Sequence, residues 1–467
     1  MSSPGALLIS YHFYPSNQIG ARRATALARY LASRGIRVVV VSAFGDHDIL
    51  PGSEIFPGVI AIPVGRPRRA IIDAFIALKR RHKPGSTPAD ELSRPVVPEV
   101  RADTVLSRTK RSLHSAFFRI AHFIDDFKKW GWRAAAAAAR VGNQYGAAVV
   151  LSSAPPNSVL LAGVLAARRL GVPHIADLRD PWTDAVTMDK RRRLDHRLQR
   201  SLEAWVMRNS AAITSTGATV ASLLAHRYPK VSQAIHVIRN GFDGAPSPSD
   251  PQTGGRMSIL FAGELYFGRD PFPFLAALEH LLARPDVDAS RVSVTLMGLT
   301  SSYAGQSLAD WLRGKRAERV VRILPQSPAE AVAQAIGQAT VLLNLAQHQP
   351  LSVPAKTYEQ LASGREILLI SEKESETAQL VGRIAGVNQV DPRDSEALEA
   401  TLIDLYRRHV IEGRMLLPPV EEVMKYSRMA ANEQFWSIIG AVARWGDALP
   451  RIQHPFQETS STALRKS

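Results

Sequence analysis

Short, almost wholly apolar runs alternate along the chain with longer stretches in which apolar residues recur every three or four positions. ALLISYHF (6–13), bounded by Tyr-Pro-Ser-Asn, predicts a buried strand. After Gly20, ARRATALARYLASRG has helical spacing and stops at Gly35, and IRVVVVSAF (36–44) is a β-branched strand. Strand, helix and strand in that order build parallel sheets covered by helices. The pattern resumes at AAVVLSSAPP (147–156), a helix ending at Gly171, PHIADLRDPW (173–182), AAITSTG (211–217) and IHVIRNGFD (235–243). GAPSPSDPQTGGR (244–256) holds no large apolar residue and reads as a linker. The same grammar then restarts with MSILFAGEL (257–265), a helix through FPFLAALEHLLA, RVSVTLMG (291–298), RVVRILPQ (319–326), ATVLLNLA (339–346) and REILLIS (365–371). Two α/β domains are expected, 1–243 and 257–425, joined by a hinge at 244–256. A final long helix is expected over about 426–450, and residues 456–467 read as a disordered tail.

Between 66 and 140 the rhythm breaks. KPGSTPADELSRPVVPEV (83–100) carries four prolines and predicts a mobile loop. Leu113, Ala116, Phe117, Ile120, Phe123, Ile124, Phe127 and Trp130 then form one broad apolar helical face. This insertion holds 17 Lys or Arg against seven Asp or Glu, the densest part of a net charge of +16. An apolar face bordered by cations suits an anionic membrane surface, reached through 66–133. Packing of the stripe beneath the first sheet is the plainer and favoured alternative. Nucleic-acid binding is not expected, because no recognition module accompanies the charge.

The 467 residues exceed what one core usually supports. No run of about 18 apolar residues and no charged leader is visible, so a cytoplasmic protein, peripheral at most to the inner face of the cell membrane, is expected. With no cysteine, disulfides, thiolate catalysis and Cys-type zinc sites are excluded, and no HExxH-like cluster suggests a metal.

Candidate chemistry gathers at strand ends. In LSVPAKTYEQLASGREILLI (351–370), Ser352 and Val353 lead into Pro354 at the expected first helical position. A helix start leaves N–H donors unpaired and favours an anion such as a diphosphate. Lys356 would add a full positive charge, and Glu359, one turn on, could accept hydrogen bonds from ribose hydroxyls. Alone, the pair favours the plainer reading, an exposed i,i+3 contact worth about 0.2–0.5 kcal/mol. Its place after a strand of an α/β sheet favours a ligand. FAGELYFGRDP (261–271) sits at the end of the first strand of the same domain and offers Gly263 for close approach and Arg269 as a second cation. Gly20 is the matching glycine of the first domain. No full GxGxxG or GxxxxGK[ST] is present.

The order YHFYPSNQIGARR, SSAPP, ADLRDPW, RNGFD, FAGELYFGRDP and VPAKTYEQLASGREILLI resembles the GT-B glycosyltransferases, in particular glycosyltransferase family 4. The resemblance runs from about residue 6 to 440. It implies two Rossmann-like, doubly wound α/β domains facing across a cleft, with the C-terminal helix crossing back to the first domain. It also implies a nucleoside-diphosphate sugar held mainly by the second domain, an acceptor held mainly by the first, retention of anomeric configuration, and no essential metal or other cofactor. Position by position, Glu359 matches the ribose-holding glutamate, Lys356 falls beside the diphosphate, Arg269 supplies the donor-phosphate cation, and Gly20 lets backbone approach the phosphates. The family commonly has a glutamate where this chain has Leu351, and many members carry a histidine near Arg179 and Asp180.

Asp180, at a strand end before Pro181 and Trp182, could orient or deprotonate an acceptor hydroxyl, with Arg179 binding phosphate or holding Asp180 charged. A local turn explains the same residues equally well, and Asp177 or Asp184 could substitute. Asn240 and Asp243 in RNGFD read as turn chemistry. The expected activity is transfer of a sugar from a nucleotide-sugar donor to a hydroxyl of a glycan or lipid-linked glycan acceptor, in cell-surface polysaccharide or glycolipid synthesis. A sugar-nucleotide hydrolase or epimerase on the same scaffold, and a non-catalytic partner of a glycan assembly complex, stand as alternatives.

Overall fold

The structure, a computed structural model, describes residues 5–16, 18–44, 49–65, 125–184, 193–246, 254–266 and 268–443. The basic insertion up to residue 124, residues 247–253 of the expected linker, and the tail lie outside them. Contacts divide the chain into two compact units, the described residues up to His174 with 193–209, and Ile175–Asp184 with the described residues from Ser210.

The first unit contains β1 (Gly5–Ser10), α1 (Ile19–Ser33), β2 (Arg37–Ser42), β3 (Glu54–Phe56), β4 (Val59–Pro63), α2 (Lys128–Gln144), β5 (Ala147–Ala154), α3 (Ser158–Leu170) and α4 (Arg193–Arg208). Its strands lie in the order β3-β4-β2-β1-β5, all parallel except the β3–β4 hairpin. Every residue of β1 is buried, as a strand covered on both faces requires. The alanine run of α2 lets it pack closely on α3, where a Cβ on Gly131 would come within 3.0 Å of the Ser158 carbonyl. Of the apolar stripe, Trp130 is fully buried and donates its indole N–H to the Val64 carbonyl at 2.9 Å, and Phe127 packs against the same core. These two members pack in the core; the stripe's other members lie outside the described residues.

The second unit opens with β6 (His174–Leu178), β7 (Ala212–Ser215), α5 (Ala218–Arg227) and β8 (Ile235–Val237), with β6, β7 and β8 adjacent and parallel. It continues with β9 (Met257–Glu264), α6 (Phe272–Ala283), β10 (Val292–Leu299), the hairpin β11 (Ser302–Tyr303) and β12 (Gln306–Ser307), α7 (Leu308–Leu312), β13 (Val321–Leu324), α8 (Ala329–Gln338) and β14 (Val341–Leu345). It ends with α9 (Ala355–Ala362), β15 (Glu366–Ile370), α10 (Glu376–Val381), β16 (Val387–Val390), α11 (Ser395–Tyr406), α12 (Val420–Met424) and α13 (Arg428–Ala443). Six parallel strands run β13-β10-β9-β14-β15-β16. Helix α6 buries Phe274, Leu275, Leu278, Leu281 and Leu282 at helical spacing against this sheet.

After β8, RNGFD pairs with the approach to α13. Arg428 N–H donates to the Phe242 carbonyl at 2.8 Å, and its guanidinium meets Asp243 at 2.7 Å. A Cβ on Gly241 would lie 2.7 Å from the Tyr426 carbonyl, so glycine here permits close backbone approach. Asp243 is therefore an ion-pair partner as well as a turn residue.

Candidate functional site

Strand order reverses between β9 and β14, because β9, β10 and β13 step one way and β14, β15 and β16 the other. The crevice at the carboxyl ends of such strands is where open α/β sheets bind ligands. Two glycines face each other there, Gly263 next to last in β9, before Glu264, and Gly298 on β10. Gly263 has φ +152° and Gly298 φ +124°, and a Cβ on Gly298 would come within 2.1 Å of the Gly263 carbonyl oxygen. Only glycines fit.

Lys356 and Arg269 converge beside them. The Lys356 Nζ lies 3.8 Å from where a Gly263 Cβ would be and 4.2 Å over the Phe261 ring. It is buried with no hydrogen-bond partner. Burial first, and the nearby Arg269 second, push its ammonium well below the ordinary lysine range. Arg269 stacks its guanidinium 4.1 Å over Tyr266 and donates from one terminal nitrogen to the Glu264 carbonyl at 3.2 Å, leaving its buried Nε without a partner. Burial lowers its pKa too. Two cations thus share a desolvated corner, neither with an ion-pair partner among the described residues. Such a corner is electrostatically prepared for an anion.

The loop from β14 to α9 leads into Lys356. Pro354 is the residue before the helix, φ −55° and ψ 134°, one position earlier in the helix frame than the sequence predicts. Glu376 N–H donates to the Pro350 carbonyl at 3.2 Å and the Thr377 hydroxyl to the Ser352 carbonyl at 3.3 Å, which fixes the loop. The Glu376 carboxylate accepts from the backbone N–H groups of Ala218 and Thr219, both at 2.8 Å, and from Arg239 at 2.6 Å. Burial pushes this carboxyl up, but the hydrogen bonds from Thr219, Arg239 and Ala218 outweigh it and hold the group below the ordinary glutamate range. Gly217, preceding α5, lies under Leu351, whose carbonyl would be 3.3 Å from a Cβ there.

Gly263, Arg269 and Lys356 are therefore brought together, Ser352 lies on the fixed loop, and Glu359 is exposed one turn along α9. Gly20 stands in the first turn of α1 in the first unit. Arg179 is buried at the end of β6, its carbonyl accepting from the Thr216 hydroxyl at 2.5 Å. Asp180 follows it. The residue is exposed overall, yet protein crowds its carboxyl, and burial, reinforced by Asp177 and opposed by Arg179, pushes its pKa up. Asp177 accepts from Thr214 at 2.7 Å, and Asp184 is held by Arg227 at 2.6 and 2.8 Å, so both are engaged elsewhere. Sequence reasoning missed Gln347, Gln349, Asn344 and Glu376. A lone Asn inside the buried VLLNL strand was the one visible signal. Among the described residues no group of three or more His, Asp or Glu side chains could hold a metal ion, and no helix is long and apolar enough to cross a membrane.

A family model for a glycosyl transferase 4-like domain matches residues 20–241. The fold of nearly the whole chain is that of GT-B glycosyltransferases. Sucrose-phosphate synthase from Thermosynechococcus elongatus superposes with a TM-score of 0.57 at 13% identity, covering 95% of this chain and 100% of that one. HepE of Anabaena in complex with UDP gives 0.55 at 12% identity, covering 94% and 100%. α,α-Trehalose 6-phosphate synthase from Burkholderia multivorans gives 0.54 at 12% identity, covering 98% and 100%. No curated protein sequence matches the chain significantly. By this family match and this fold, the chain is similar to glycosyltransferases of the GT-B type.

Proposed function

We propose that this protein is a glycosyltransferase that moves a sugar from a nucleoside-diphosphate sugar to a hydroxyl of a glycan or lipid-linked glycan, with retention and without an essential metal. Residues 257–425 hold the donor and residues 1–243 the acceptor. The basic excess over 66–133 fits work at the inner face of the membrane, where lipid-linked acceptors lie. The observation that carries the donor assignment is the buried, partnerless Lys356 ammonium beside Arg269 at the sheet's switch point. A diphosphate gives both cations their missing counter-charge. As the glycosidic bond to phosphate breaks, negative charge grows on the leaving diphosphate, and fixed cations in a dry site stabilise that change. Glu359 holds the ribose hydroxyls.

Calorimetric titration with UDP, GDP and ADP tests this reading, UDP first because HepE was solved with it. One nucleotide should bind, and Glu359→Ala should weaken it by about tenfold, the value of charge-assisted hydrogen bonds to a hydroxyl. A folded protein that binds none would instead favour the non-catalytic partner.

Asp180 is assigned the acceptor side, accepting the O–H of the attacking hydroxyl. Because its pKa is raised, its carboxylate is lost at a higher pH than an ordinary aspartate's. Activity should accordingly fall as pH drops through that raised value, and Asp180→Asn should lose this acidic limb together with about 10²-fold or more in rate. An unchanged pH–rate profile in the Asn variant would return Asp180 to the turn.

A further inference from the structure

We propose that the side-chain amides of Gln347 and Gln349 read the hydroxyls of the transferred sugar, a proposal that rests on the donor assignment above. Gln347 is 1% exposed, and its Nε2 donates to the Asp270 carbonyl at 2.8 Å. That bond fixes the orientation of the amide, so its other end presents Oε1, an acceptor buried with no partner. Gln349 offers the opposite, a buried Nε2 with no partner. Both lie against the turn that delivers Arg269. Gly268, with φ +76°, sits so close that a Cβ on it would meet the Gln347 carbonyl at 2.3 Å and the Gln349 Nε2 at 3.6 Å. An unpaired donor and an unpaired acceptor therefore flank the cation assigned to the diphosphate.

The mixture of signs identifies the ligand group. Phosphate oxygens only accept hydrogen bonds, so they would satisfy Gln349, Arg269 and Lys356 but would repel Gln347 Oε1. Asn344, which donates to the Thr357 hydroxyl at 2.9 Å, adds a second buried, partnerless acceptor oxygen below the same loop. Leaving such groups unpaired costs about 1–3 kcal/mol each, an expense a packed core would avoid by placing apolar residues there. A hydroxyl both donates and accepts, and so pairs with either amide end. Sugar hydroxyls next to the diphosphate fit all three observations: the free donor, the free acceptor and the adjacent cation.

The test separates the sugar from the nucleotide. Wild-type protein, Gln349→Ala and Gln347→Ala are titrated with UDP, GDP and ADP, and with the glucose, galactose, mannose and N-acetylglucosamine conjugates of whichever nucleotide binds. Wild type should bind at least one conjugate more tightly than the bare nucleotide. Gln349→Ala should lose about tenfold on that conjugate and keep the bare nucleotide's affinity. Gln349 has no hydrogen bond through Nε2 in the structure, so its variant should melt like wild type; Gln347→Ala, which loses the tie to Asp270, serves as the second variant only if its melting is unchanged. Equal losses for nucleotide and conjugate, no loss at all, or no preference of wild type for any conjugate would overturn the sugar-reading role while leaving the donor site intact. Failure of wild type to bind any nucleotide would overturn the donor site and this inference with it.

Discussion

Lys356→Met should move stability and binding in opposite directions. In the ligand-free protein the ammonium is buried without a partner, beside a like charge, and only the Phe261 ring 4.2 Å away offsets its desolvation. Its folded pKa lies well below its unfolded one, so the unfolded chain holds the proton more tightly across neutral pH, and folding is opposed there. Methionine fills nearly the same volume without the charge. The variant should therefore melt about 2–4 °C higher, corresponding to about 1 kcal/mol in a domain of this size. Nucleoside diphosphate affinity should drop by about 10- to 100-fold, the range for a charge-assisted contact to phosphate. A bound diphosphate supplies the counter-charge that Lys356 lacks and should raise its pKa back toward the ordinary lysine range. A variant that melts lower and binds equally well would make Lys356 a packing residue.

Much of this site could be read from the sequence, and the remainder depended on contacts between distant residues. The central strands declared themselves because both faces are covered, so Val341–Leu345 and Glu366–Ile370 are buried throughout. Gly263, Arg269 and Lys356 could be named because each lies at or just beyond the carboxyl end of a strand, where ligands gather. The short strands β3 and β16 escaped notice because EIF and VNQV carry no periodic signal. Lys356 looked like half of an exposed pair with Glu359, yet its side chain turns inward onto Phe261 of β9 while Glu359 stays exposed. Gln347, Gln349 and Glu376 are ordinary polar residues in sequence. Their meaning comes from Gly268 and Asp270 on one loop and from Ala218, Thr219 and Arg239 on another, none of them near in the chain. Asp184 looked as available as Asp180 until Arg227 was seen to hold it.

Removing one carboxylate at the opposite end of the same sheet should unsettle the second unit far more than any change in the crevice. Glu366 begins β15 and is fully buried; it accepts hydrogen bonds from Arg408, from His409 Nε2 at 2.7 Å and from Asn388 Nδ2 at 3.0 Å. Burial alone would raise its pKa, but the hydrogen bonds from His409, Asn388 and Arg408 prevail and hold it below the ordinary glutamate range. Its contribution to stability is therefore complete above that range and is lost as pH falls through the depressed folded value. Glu366→Ala would strand Arg408, 3% exposed, with only the half-exposed Asp404 at 2.8 Å as a carboxylate partner. Breaking a buried pair from one side costs about 3–5 kcal/mol, enough to lower the melting temperature by about 10 °C. Replacing both partners with apolar residues, Glu366→Leu with Arg408→Met, should recover much of that loss, since the charges are costly to bury as well as to separate. Because the cluster sits at the amino end of β15, the folded fraction of the single variant should bind nucleotide with wild-type affinity. A double variant less stable than the single one would show that the cluster stabilises beyond satisfying its own buried charges.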